Sequence, residues 1–130
     1  MVKQIITLIV TLSFLTSCSE SFKTIDPKNF NEKIADRTDI KTPEQLITLY
    51  YNYPENEGHP TLIITVNKTE SGNFEITLIN EGLEDDSLSG EKIVMMAKLT
   101  GQKWIVTDIR KNWKCLDGRG QTSWGTKRCN

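Results

Sequence analysis

The sequence predicts an α+β fold: an N-terminal helix packed on a four-stranded antiparallel meander, followed by a C-terminal loop that carries two cysteines. Two observations predict it. Apolar residues recur at helical spacing over 43–53, behind a capping signature. After residue 60 the period drops to two and persists through four runs joined by short polar turns. Short strands with short connections pair as an antiparallel meander, and one amphipathic helix then buries its stripe on one face of the sheet.

The helix opens at Thr42-Pro43-Glu44-Gln45. Thr42 is the cap, Pro43 suits the first helical position and Gln45 completes a capping box. Leu46, Leu49, Tyr50 and Tyr53 follow at i, i+3, i+4 and i+7, and Pro54 ends the helix. The Tyr50-Tyr51-Tyr53 cluster reads as the edge of the core with its hydroxyls in water; a binding face is the alternative. The first strand, Thr61 to Lys68, sets Leu62, Ile64 and Val66 against Ile63, Thr65 and Asn67. Ser71-Gly72-Asn73 turns the chain into a second strand, where Phe74, Ile76 and Leu78 alternate with Glu75 and Thr77. The third, Lys92 to Leu99, puts Ile93, Met95 and Ala97 on one side. Gly101-Gln102 fits a two-residue type II′ hairpin. It leads to a fourth strand, Lys103 to about Trp113, with Trp104 and Val106 on one side and Ile105 and Ile109 on the other. Residues 42–130 are thus expected to form a single domain. Residues 18–41 are polar and read as a tether, with a short helix beginning at Asp26-Pro27 that aligns Phe30 with Ile34.

Residues 1–17 stand apart. Lys3 precedes an apolar run, Ile5 to Leu15. The run is too short for a bilayer core, which takes about 20 residues, and has the length of a cleaved export signal. An ordinary signal peptidase wants a small residue where Leu15 stands, and a cysteine follows two residues after Thr16. The Leu15-Thr16-Ser17-Cys18 segment resembles the lipobox of bacterial lipoproteins. The resemblance implies cleavage before Cys18, a diacylglyceryl thioether on its sulfur and acylation of the new amino group. Two or three fatty acyl chains would then hold the protein on a membrane permanently. On the same resemblance, Ser19 in place of Asp points to the outer membrane of the cell envelope, with the periplasmic face or the surface left open.

Setting Cys18 aside leaves Cys115 and Cys129. An exported chain meets an oxidising compartment, so these two are expected to pair and close the C-terminal loop. Trp113 and Trp124 flank them, and Asp117-Gly118 and Arg119-Gly120 imply tight turns. The tryptophans read as a cover over the disulfide; the alternative is a loop that presents Arg119 and Trp124 to a partner. The ending is similar to one in small exported bacterial proteins, which bring no activity with them.

The removed signal holds Lys3 and no acid, so the remainder carries 15 basic and 17 acidic side chains, a net charge near −2. That gives no basic field for nucleic acid. Glu81, Glu84, Asp85, Asp86 and Glu91 cluster between the second and third strands. Their spacing lacks the calcium-loop pattern, so the cluster reads as a solvated hairpin loop, with a docking patch for a basic partner as the alternative. His59 lies between Gly58 and Pro60 and reads as a turn residue. No G-x-S-x-G or Ser-Lys motif frames a serine, and neither a catalytic residue, a metal ligand set nor a cofactor motif emerges. The expected function is a lipid-anchored envelope protein that binds or supports a protein partner. An inhibitor of an envelope hydrolase, acting through the acidic loop or the tail, is the alternative; an enzyme is the other class.

Overall fold

The structure, a computed structural model, describes residues 19–52 and 62–130. Cys18 and the rest of the lipobox, Tyr53, Pro54 and His59 lie outside the described residues. In chain order the elements are β1 (Lys23–Ile25), α1 (Lys28–Ile34), α2 (Pro43–Tyr51), β2 (Leu62–Lys68), β3 (Phe74–Asn80), β4 (Leu88–Thr100) and β5 (Lys103–Cys115). One antiparallel sheet runs in the order β1-β5-β4-β3-β2.

The expected meander is present as β2 to β5, and the expected helix as α2. The short helix expected from Asp26-Pro27 is present as α1. Two features correct the sequence reading: the sheet has a fifth strand, and α1 belongs to the core. Both come from the stretch read as a tether. Phe30 and Ile34 of α1 and Ile40 beyond it are buried in the core, and Ile25 packs against it. β1 is only three residues with one large apolar side chain, so it has no period to read. Its pairing, Ile25↔Ile109, is made with a strand far along the chain.

Local chemistry explains the helices. The Thr42 hydroxyl accepts from Gln45 N at 3.2 Å while the Gln45 side chain accepts from Thr42 N at 3.2 Å, completing the capping box. The other end is closed by Asn52 in the left-handed region (φ 45°), its N–H donating to Thr48 O at 3.0 Å. α1 has the Asp26 carboxylate accepting from Lys28 N at 2.9 Å. The buried stripe of α2 is rotated from the expected one: Leu46 and Ile47 are fully buried, while Leu49 and Tyr50 are half-buried. Tyr50 meets Phe30 edge-on, ring centroids 5.2 Å apart. Tyr51, expected to keep its hydroxyl in water, instead donates to Glu91 at 2.9 Å and accepts from the buried Asn80 at 2.9 Å.

Both helices contribute to a core built on one face of the sheet, with Ile76, Leu78, Ile93, Met95, Val106 and Ile109 beneath them. A register shift between Met96 and Ala97 brings Val106 opposite Ala97 and Ile109 opposite Met95. Strict alternation would separate Val106 from Ile109; this bulge puts both on the core side. The opposite face is open over β2, where Ile63 is 52% exposed, and covered over β4 and β5, where Val94 and Asn112 are buried. The outer edge of β5 is closed piecewise: Asn31 exchanges two 2.8 Å bonds with Val106, β1 follows, and then the C-terminal tail.

Candidate functional site

The end of β5, the start of β4 and the loop between β3 and β4 meet at one pole of the sheet. The turns at 69–73 and 101–102 lie at the other. Cys115, buried at the end of β5, is bonded to Cys129 with their Cα atoms 5.5 Å apart, as expected. The loop so closed lies along the sheet edge. Cys115 N donates to Gln121 O, Trp113 N to Gly125 O and Gly125 N to Trp113 O, at 2.9 to 3.0 Å. Gly120 (φ 144°) passes so close to the disulfide that a Cβ there would come 2.9 Å from Cys115 Sγ.

Trp124 lies over β4 and β5 on the face away from the helices. Gly90 makes the room: a Cβ at that position would meet the indole at 3.1 Å and the Lys114 stem at 3.2 Å. The Lys92 and Lys114 ammonium groups sit 4.5 and 4.7 Å from the Trp124 ring centre, within cation–π range. Trp113 is held by its indole N–H, which donates to Lys127 O at 2.9 Å.

The N-terminal residues reach the same place. The Glu20 carboxylate accepts from Lys92 Nζ at 2.7 Å and from Asn112 Nδ2 at 3.1 Å. Asn112, itself buried, also donates to Ser21 O at 3.1 Å. The Lys92 hydrogen bond holds Glu20 below the ordinary glutamate range, with the Asn112 bond adding to it and partial burial opposing it. Ser19, Glu20, Lys114, Thr122, Ser123 and Trp124 line an open cleft of about 480 Å³ between the first described residues and the C-terminal tail.

The acidic loop joins this pole. Glu81 pairs with Lys114 at 2.6 Å, and Leu116 N donates to Ser87 O at 2.7 Å. Asp85, itself exposed, accepts from Ser87 N at 2.8 Å and Leu88 N at 2.9 Å, and these bonds hold its carboxyl below the usual aspartate range. Glu84 and Asp86 are exposed. Arg119 is exposed at the tip of the tail, where its backbone O accepts from Asn130 N at 2.6 Å. The loop and the tail, read separately from sequence, are therefore neighbours. Glu20, Lys92, Asn112 and Lys114 were not legible as partners, because nothing local to a strand lysine or asparagine marks what crosses it.

A second groove of about 600 Å³ runs along α2, lined by Arg37, Asp39, Glu44, Gln45, Thr48 and Leu49 among others. Its charges answer each other: Arg37 and Asp39 pair at 2.6 Å, which lowers Asp39 to about 2. Among the described residues, no three His, Cys, Asp or Glu side chains are grouped to hold a metal ion, and no helix is long and apolar enough to cross a membrane. No family model matches the chain, and no curated protein or solved structure is significantly similar to it.

Proposed function

We propose that the chain is a lipid-anchored cell-envelope protein that acts by binding a protein partner and has no catalytic residues of its own. The observation that carries this reading is Leu15-Thr16-Ser17-Cys18 at the end of a short apolar leader. The Cys115–Cys129 bond agrees with an oxidising compartment. Of the candidate contact residues, Asp85 is committed to its own loop and Trp124 to the sheet. Glu84, Asp86 and Arg119 are exposed at the disulfide pole, and they are the proposed contacts.

Two experiments test the reading. Metabolic labelling with a fatty acid marks the wild-type protein and not Cys18→Ala, which is released from the membrane fraction; equal labelling of both refutes the anchor. Crosslinking in the native envelope then enriches one partner, and Glu84→Lys with Asp86→Lys reduces its yield. An unchanged yield from that double variant and from Arg119→Glu rejects the proposed contact surface. A hydrolase as the partner, inhibited by the purified domain, would make the module its inhibitor.

A further inference from the structure

We infer that the disulfide pole is the membrane-facing end of the domain, with Ser19, Thr122, Ser123 and Trp124 at the headgroup level of a phospholipid bilayer. This rests on the reading of Cys18 as the lipidated residue. The occupant of this surface follows from where the chain outside the structure begins. Glu20 is fixed to the sheet by Lys92 and Asn112, Ser21 by Asn112, and the Ser21 hydroxyl lies 3.4 Å from that of Thr126. Only Ser19 separates Cys18 from Glu20, and two residues span at most about 7 Å. A flexible tether of about 20 residues would instead let the domain wander some 25 Å from its lipid. With no such tether, the lipid-bearing residue must lie beside the cleft that Ser19 shares with Thr122, Ser123 and Trp124.

The side chains there suit the place. Trp124 is half-buried, and Lys92 and Lys114 lie against its ring. An amphipathic ring beside two ammonium groups is the composition found where protein meets headgroups and phosphates. The acidic loop at the same pole then stands just above the bilayer, so a partner engaged by Glu84 and Asp86 is one held at the membrane surface.

Tryptophan quenching tests this, because Trp104 provides an internal control. It is buried near the start of β5, about 30 Å along the strand from Trp113. The lipidated full-length protein is placed in phosphatidylcholine vesicles that carry a headgroup nitroxide lipid, and mass analysis of the N-terminal peptide reports acylation. In Trp113→Phe, which keeps Trp104 and Trp124, emission falls by the share that Trp124 contributes, as for an indole at the headgroups. In Trp113→Phe/Trp124→Phe, the remaining Trp104 emission is unchanged. An acylated protein in which Trp124 and Trp104 are quenched alike, or neither is quenched, overturns the orientation and leaves the anchor standing. An unacylated Cys18 overturns both. The wild-type chain with a flexible insert of about 15 residues between Ser19 and Glu20 needs no tryptophan replacement. It keeps its lipid and loses its quenching; quenching that persists also overturns the inference.

Discussion

Asn112 and Glu20 are the residues on which the N-terminal segment depends. Asn112 is buried in β5 and spends its amide on Glu20 and Ser21. Asn112→Ala leaves Ser21 O without that donor and should cost about 1–3 kcal/mol in chemical denaturation. Glu20 is held below its ordinary value of 4.5, so the folded state binds its proton less readily than the unfolded chain. Its contribution is complete above that value and is lost as pH falls through the lowered one. Wild type should therefore exceed Glu20→Gln in Tm at neutral pH, with the gap closing in acid as Glu20 takes up its proton; the pair is partly exposed, so the gap corresponds to at most about 1 kcal/mol. A gap that widens in acid would show the sign to be wrong. Gly90 supports the same segment differently. Gly90→Val pushes a side chain into the seat of Trp124, and a red shift of the combined Trp104 and Trp124 emission in a Trp113→Phe background is the expected sign.

Elements differed in how far the sequence revealed them, for physical reasons. α2 was legible because Thr42 and Gln45 cap each other three residues apart and Pro43 suits the first helical position. Thr42→Ala should cost about 1 kcal/mol, and Leu46→Ala, at the centre of the buried stripe, about 2–5 kcal/mol; similar losses at the two positions in thermal unfolding would mean that the cap counts for more than the core. The alternation of β2 and β3 was legible because one face is buried and the other is not. β1 was hidden, since a three-residue strand takes its identity from its partner. The bulge at Met96/Ala97 was hidden too, because parity along β5 carries no mark of an extra residue in the register. For the candidate site, the cysteine pair and the acidic cluster could be read from composition. Their adjacency could not, since it depends on β3, β4 and β5 ending at the same pole.

At the scale of the whole molecule, the Cys115–Cys129 bond closes the piece of chain that completes one pole. A loop of this length is worth about 3 kcal/mol in the unfolded state, and Cys115→Ser with Cys129→Ser should lower stability by about 2–5 kcal/mol. Proteolysis of that variant should begin between residues 116 and 130 while the sheet stays intact; cleavage that starts in β2 or β3 would contradict this order. The piecewise closing of the β5 edge has a kinetic side. Asn31, β1 and the tail come from opposite ends of the chain, and Ser21 meets Thr126 across a separation of 105 residues. Contacts of such span form late, after the local hairpins have closed. A chain threaded through a membrane pore from its N-terminus cannot finish this edge until its last residues have emerged. On the proposed export route, the fold would therefore stay incomplete, and so passable, for as long as any of it remained to be moved.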